Sequence, residues 1–210
     1  LGYDYLDTGA TYRAVTWKAM EEGVDFSDPA ALAQIAEETK IEFEPRDDAF
    51  LVKCDGEDVT RRIRSPEVTE RVRYVADEPR ARRALIRLQR RYARGRDVVT
   101  EGRDQGTEVF PEAELKFYLA ASLEARARRR KKDLDASGAE NKTLVSVRQD
   151  IARRDREDRS RPKGRLRRRE DMIVVDSTEL DVDEVVDKMV KEVRTLSSDP
   201  VVERERAGKN

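Results

Sequence analysis

A short apolar strand that runs into a glycine-flanked turn is the feature that most limits how this chain can fold. Residues 97–101 read Asp-Val-Val-Thr-Glu, and residues 102–107 read Gly-Arg-Asp-Gln-Gly-Thr. The strand is too short and apolar for a surface element, and open α/β sheets bind ligands just beyond the carboxyl ends of such strands. The sequence therefore predicts a parallel sheet with Arg103 and Asp104 at its ligand-binding edge.

Strands alternate with helices along most of the chain. Further core strands are predicted at residues 3–7, 115–120 and 172–175, with helices between them and a last helix at 180–196. This alternation is typical of the α/β class. Three short strands, at residues 41–43, at residues 50–54 and near Val59, interrupt a helical region. They predict a small antiparallel insertion, with turns at residues 45–48 and 55–56.

The charged stretch from residue 153 to 161 has an unusual register. Upstream of it, Leu144, Val147 and Ile151 are spaced three and four residues apart, as on one helix face. The same steps lead on to Arg154, Asp158 and Arg161. Guanidinium groups beside a carboxylate suit a ligand with phosphate and hydroxyl groups. Because 42% of the residues are charged, a solvated helix face remains the alternative.

The composition excludes several classes of function. The chain has no histidine and one cysteine, which excludes His-based acid–base catalysis, His-ligated metal sites and an intrachain disulfide. A formal net charge of −1 gives no overall polyanion-binding signature. No stretch approaches the ~20 apolar residues of a membrane helix, and no signal peptide is visible. We expect a cytoplasmic monomer that binds neither nucleic acid nor membrane.

Four motifs in order make the chain resemble the bacterial cytidylate kinases, a family of nucleoside-monophosphate kinases. The motifs are Asp7-Thr8-Gly9-Ala10-Thr11-Tyr12-Arg13, then Gly102–Thr107 with Val109-Phe110-Pro111, then Arg154-x-x-x-Asp158-x-x-Arg161, then Asp176-Ser177-Thr178. The likeness covers roughly residues 1–196. It implies a parallel sheet flanked by helices, with a helical lid. It also implies transfer of the γ-phosphoryl group of ATP, with Mg²⁺, to CMP or dCMP.

The resemblance divides the chain into functional segments. A kinase domain at residues 1–196 would have its core at 1–24, 80–140 and 170–196. The antiparallel strands would belong to a monophosphate-binding insertion at about 25–79, and the lid would span about 143–169. Residues 197–210 have little to bury and are expected to be a disordered tail.

The resemblance also implies roles for individual residues. Asp104 and Arg82 would read the base, because a carboxylate accepts from the cytosine amino group and an arginine donates to N3 and O2. Arg154 and Asp158 would lie at the sugar. Arg13, Arg103 and Arg161 would hold phosphate, with Arg161 in the lid, and Thr8 and Tyr12 would position the monophosphate. No residue is assigned to ATP or to a metal ion.

Three of these assignments have an alternative explanation in which the residues only support the structure. Arg103 and Asp104 could form an ion pair that closes the turn, Arg82 could cap a helix, and Tyr12 could be a core residue. Two positions also depart from the family pattern. Arg73 stands where the family usually has a serine near the base, and Glu101 stands where an aspartate is common.

The phosphate-binding motif Gly-x-x-x-x-Gly-Lys-[Ser/Thr] does not occur in the 210 residues. The resemblance places this loop and the first strand before Leu1, so we expect the chain as given to lack both and to be inactive. One alternative is a kinase for another small substrate. The other is a non-enzymatic protein that binds RNA or an acidic partner through its arginine-rich stretches. Asp104 distinguishes cytidylate kinase activity from these alternatives. A carboxylate accepts a hydrogen bond from the amino group of cytosine, whereas uracil presents a carbonyl acceptor at the same place and should be rejected.

Overall fold

The computed structural model describes residues 1–46, 49–136, 138, 142–160, 164 and 166–197. The chain divides into two compact units, of which the first contains Leu1–Pro111 and Arg161–Arg165 and the second contains Glu112–Ser160 and Leu166–Asn210. The division falls inside the segment 80–140 that was assigned to the core, so the domain limits drawn from the sequence stay a prediction. Of the expected tail, only Ser197 is described, as the last residue of a helix.

The first unit contains five strands and four α-helices among its described residues. They are β1 (Asp4–Asp7), α1 (Thr8–Glu21), α2 (Pro29–Glu38), β2 (Ile41–Arg46), β3 (Ala49–Cys54), β4 (Glu57–Asp58), α3 (Pro66–Asp77), α4 (Pro79–Ala93) and β5 (Val98–Glu101). A 3-10 turn at Arg62–Arg64 and a π turn at Gln105–Val109 complete it. Each strand and helix predicted for this part of the sequence is present.

Two sheets organise the first unit. Strands β1 and β5 pair in parallel, with Tyr5 opposite Val99 and Asp7 opposite Glu101. Strands β2, β3 and β4 form the predicted antiparallel patch. Because parallel strands end at the same edge of a sheet, the residues that follow β1 and β5 lie side by side. The turn from residue 102 onward is thereby placed next to the start of α1.

Side-chain caps explain where the helices begin. Asp28 accepts from the backbone N–H groups of Ala30 and Ala31, and Ser65 accepts from that of Val68 at 3.3 Å. In both cases proline follows the cap, at a position where its missing N–H costs nothing. At α4 the cap is Glu78, which excludes the alternative that Arg82 caps this helix.

One hydrophobic core joins the predicted insertion to the helices on either side of it in sequence. Buried residues from α1, α2, β3 and α4 form a single cluster, with Val15, Leu32, Val52 and Leu85 at its centre. Each of these four side chains is at most 2% exposed. Fully burying such a side chain stabilises a fold by roughly 1.5–3 kcal/mol. The insertion therefore contributes to the same folded body as α1 and α4.

The second unit repeats the alternation of strands and helices. It contains β6 (Phe117–Ala120), α5 (Leu123–Ala136), α6 (Leu144–Ser160), β7 (Ile173–Asp176) and α7 (Val182–Ser197). Strands β6 and β7 pair in parallel, and a two-bond ion pair between Arg126 and Asp155, at 2.9 and 2.7 Å, ties α5 to α6. Parallel strands with flanking helices confirm the predicted α/β class. None of the described helices has the length and apolar character needed to cross a bilayer.

Candidate active site

The shared edge of β1 and β5 brings two predicted motifs together. The Thr8 hydroxyl, at the first residue of α1, donates to the backbone carbonyl of Glu101. Gly102 lies so close to this contact that a Cβ atom there would be 2.9 Å from the Thr8 hydroxyl. Asp7 caps α1 and also pairs with Arg64 at 3.0 Å. The edge is thus closely packed, and a side chain at position 102 would not fit without movement.

A buried ion pair lies at the turn after β5. Arg82 donates through Nη2 to Oδ2 of Asp104, and each residue is only 6% exposed. The pair joins α4 to the turn, because Arg82 belongs to α4 and Asp104 immediately precedes the π turn. The ion pair of Asp104 is therefore with Arg82. The two residues predicted to read the base are brought into direct contact, and Arg103 is exposed.

The π turn fixes the backbone after Asp104. The Asp104 carbonyl accepts from the N–H groups of Thr107, Glu108 and Val109, at 3.1, 2.8 and 3.2 Å. From the other side, Arg90 donates to the carbonyls of Glu108 and Val109, each at 2.8 Å. These bonds fix the backbone of Glu108 next to Asp104, and both side chains contact Nη2 of Arg82.

Glu108 is a third charged member of the site, and the sequence reasoning missed it. Its Oε2 atom lies 3.3 Å from Nη2 of Arg82, and the Tyr12 ring centroid lies 5.9 Å from the Arg82 guanidinium carbon. Burial alone would lower the pKa of Arg82, but Tyr12, Asp104 and Glu108 together raise it. Arg82 thus stays charged. The sequence feature that could have indicated its role is the position of this carboxylate between Thr107 and Val109, where the turn is followed by apolar residues.

Arg13 is held by neighbouring elements. Its Nη1 atom donates to the Thr69 hydroxyl of α3 at 2.8 Å and to the Ile63 carbonyl of the 3-10 turn at 3.3 Å. Arg13 lies one helical turn beyond Thr8 on α1 and is half-buried. These two bonds orient the guanidinium of Arg13 toward α3 and the 3-10 turn.

The two departures from the family pattern have structural partners. Glu101 accepts a 2.6 Å bond from the Tyr5 hydroxyl, and burial together with this bond raises the pKa of Tyr5. Arg73 lies over the Tyr74 ring at 4.8 Å and donates to the Tyr74 hydroxyl at 2.9 Å. Arg73 and Tyr74 line a cleft of about 440 Å³ whose lining residues do not include Arg82 or Asp104.

In the second unit, α6 carries the predicted sugar-binding residues. Val147 is 2% exposed and Asp158 is 9% exposed, whereas Leu144 and Arg154 are exposed. The helix face predicted from the three- and four-residue spacing is therefore buried at only some of its positions. Arg161, assigned to phosphate, lies outside the described residues.

No group of three or more Asp, Glu, His or Cys side chains in the described part of the chain could hold a metal ion. The carboxylates nearest the β1–β5 edge are already engaged, Asp7 with Arg64 and Glu101 with Tyr5. These residues do not form a magnesium site by themselves.

Comparison with known proteins gives a consistent family. The family model described as "Cytidylate kinase" matches residues 1–195. A cytidylate kinase of Rhodopirellula baltica is 47% identical over 197 residues, covering 92% of this chain and 82% of the relative. Cytidylate kinases of Symbiobacterium thermophilum and Geobacillus kaustophilus are 46% and 43% identical over 195 and 191 residues. Their matches cover 92% and 91% of this chain, and 86% and 85% of the relatives.

Proposed function

The chain belongs to the cytidylate kinase family, and on this premise we propose that it transfers the γ-phosphoryl group of ATP to CMP or dCMP. The products are ADP and CDP or dCDP. The observation that carries the proposal for the acceptor is the buried pair of Arg82 and Asp104 at the turn after β5. Neither alternative, another small substrate or an RNA-binding protein, gains support from the comparisons.

The buried pair suits the hydrogen-bonding edge of cytosine. Cytosine offers an amino donor together with the acceptors N3 and O2, whereas uracil has a carbonyl in place of the amino group. Asp104 would accept from the amino group, and Arg82 would donate to the acceptors. In a buried site, a uracil carbonyl facing the Asp104 carboxylate would leave two acceptors without a donor, which is costly.

The remaining assignments complete the acceptor site. Arg13 and Arg103 would hold the monophosphate, with Thr8 and Tyr12 positioning it. On α6, Arg154 and Asp158 would contact the sugar, where a carboxylate accepts from hydroxyl groups. Arg161 would neutralise charge on the transferred phosphoryl group.

Phosphoryl transfer needs little covalent chemistry from the protein. An oxygen of the CMP phosphate attacks the γ-phosphorus of ATP, and the bond from that phosphorus to the ADP oxygen breaks. Catalysis comes from positioning and from positive charge around the equatorial oxygens, so a chain without histidine can perform it. Mg²⁺ in such reactions is held by substrate phosphates and water together with one or two carboxylates. Among the described residues, none is assigned to it.

The cellular setting follows from the same premise. We propose that the chain is monomeric and cytoplasmic. The free, buried thiol of Cys54 fits a reducing compartment such as the cytoplasm. Sedimentation at micromolar concentration tests the monomer, and a dimer would contradict it.

Thermal unfolding with added nucleotides tests the proposed acceptor. CMP and dCMP should raise the melting temperature of the chain, since a ligand that binds only the folded state stabilises it. UMP at the same concentration should raise it much less. Equal stabilisation by CMP and UMP would refute the base assignment, and no stabilisation by any nucleoside monophosphate would refute the proposed acceptor class.

A further inference from the structure

Glu108 lies in the wall of an arginine-lined cleft. The cleft has a volume of about 500 Å³ and is lined by Pro79, Arg82, Arg83, Ile86, Arg87, Arg90 and Glu108. Glu108 is the one carboxylate among these lining residues. Its backbone N–H and carbonyl are bonded to the Asp104 carbonyl and to Arg90, which fixes the main chain from which the side chain extends. A single carboxylate among four arginines suggests that Glu108 has a specific partner in this wall.

The two carboxylate oxygens of Glu108 have separate contacts. Oε2 faces Nη2 of Arg82 at 3.3 Å, and Oε1 accepts from the backbone N–H of Gly164 at 2.7 Å. Gly164 has a φ of +67°, in the left-handed region that favours glycine, and a Cβ atom there would clash with the Arg82 guanidinium. A larger residue at this position would be strained and would displace Arg82. The Gly164 backbone therefore fixes the rotation of the Glu108 carboxylate.

Arg82 in turn divides its donors. Nη2 serves both Asp104 and Glu108, and Nη1 donates to the Ala76 carbonyl at 3.4 Å. Among the described residues, the side-chain hydrogen bonds of Arg82 leave out Nε–H and the second proton of Nη1. These two donors remain for a ligand.

The arrangement of the Arg82 N–H groups determines which oxygen of Asp104 is left to bind a ligand. Only Oδ2 of Asp104 is bonded to Arg82, so Oδ1 is left to accept from a ligand. An arginine beside one carboxylate prefers a two-bond fork that uses both carboxylate oxygens. Such a fork would need Nε–H or a proton of Nη1 to reach Oδ1. The bonds of Nη2 to Glu108 and of Nη1 to the Ala76 carbonyl hold the guanidinium in the orientation in which Oδ2 alone is bonded. If the fork formed, both Asp104 oxygens would already accept a bond from Arg82, and neither would be left wholly to the cytosine amino group.

We propose that Glu108 is a positioning residue that makes the site selective for cytosine nucleotides. It keeps the contact between Arg82 and Asp104 to a single bond, and it thereby preserves one Asp104 oxygen for the base. Glu108 acts through Arg82 and does not itself contact the base. This inference rests on the proposed function, since it assumes that Asp104 and Arg82 read the base of the acceptor nucleotide.

Calorimetric titration of the 210-residue chain with CMP and UMP tests this role. Glu108→Gln removes the negative charge that faces Arg82 but keeps an oxygen that can accept from the Gly164 N–H. We expect the preference for CMP over UMP to fall about tenfold in this variant, the value of one charge-assisted hydrogen bond. Gly164→Ala is the second variant. Its methyl group would crowd the Arg82 guanidinium and should lower the same preference.

Glu70→Gln is the matched control, because Glu70 is an exposed residue of α3 in the same unit. It should leave both affinities unchanged. A purely structural role for Glu108 would lower the melting temperature and weaken CMP and UMP equally. That result, or an unchanged CMP preference in a folded Glu108→Gln protein, would overturn the inference. If the wild-type chain showed no preference for CMP, the proposed function would fail first.

Discussion

Replacing the two members of the buried pair separately should give unequal losses of stability. Arg82→Met removes the guanidinium and leaves the Asp104 carboxylate buried, with no other cation bonded to its side chain among the described residues. Leaving a buried charge unpaired costs about 3–5 kcal/mol. Asp104→Asn leaves Arg82 beside Glu108, whose carboxylate is 3.3 Å away. Because a counter-charge and a neutral amide remain, we expect this variant to lose only about 1–2 kcal/mol.

The free energy of unfolding can be followed through the single tryptophan. Trp17 is 8% exposed in the core of the first unit, so its fluorescence reports the unfolding of that unit in urea. Equal losses in the two variants, or a larger loss in Asp104→Asn, would refute the role given to Glu108 as a second partner of Arg82.

Three further perturbations test other parts of the structure. Gly102→Ala places a methyl group 2.9 Å from the Thr8 hydroxyl. The free energy of unfolding measured in urea should therefore fall by about 1–3 kcal/mol, and an unchanged value would contradict the close approach. Burial raises the pKa of the Cys54 thiol to about 11, so alkylation at about pH 8 should be slow in the folded chain and fast in urea, and equal rates would show an exposed thiol. Asp155→Asn breaks the two-bond pair with Arg126 and should destabilise the second unit by about 1 kcal/mol in hydrogen-exchange measurements on α5 and α6, with no change in the first unit.

The fold class and most elements could be predicted because local signals agree with the structure. Asp28-Pro29 and Ser65-Pro66 start helices through caps that depend on neighbouring residues alone. The turn at residues 55–56 likewise joins β3 to β4. Such signals act within a few residues, and sequence patterns record them directly.

The candidate site was predicted in part. Asp104 and Arg82 could be named through the family resemblance, but their contact spans 22 positions and depends on how α4 packs against the turn. Glu108 could not be recognised, because its role arises from the π turn and from Gly164, 56 positions away. No periodicity in the sequence records such a contact.

The helix from Leu144 to Ser160 shows the limit of periodicity. The helix itself is confirmed, and the register correctly places Val147 and Asp158 on a buried face. It does not account for Arg154, which lies on the same stripe and is exposed. A long charged side chain can extend from a buried face to solvent, so spacing alone does not fix its exposure.

The most direct test of the central claim is the ratio of the UMP and CMP dissociation constants for the wild-type chain and for Asp104→Asn. A carboxylate can only accept from the base, whereas an amide can also donate to the carbonyl that uracil presents. We predict that the wild-type chain binds CMP more tightly by at least about tenfold, and that Asp104→Asn brings the ratio close to one. A ratio unchanged by the substitution would show that Asp104 does not read the base.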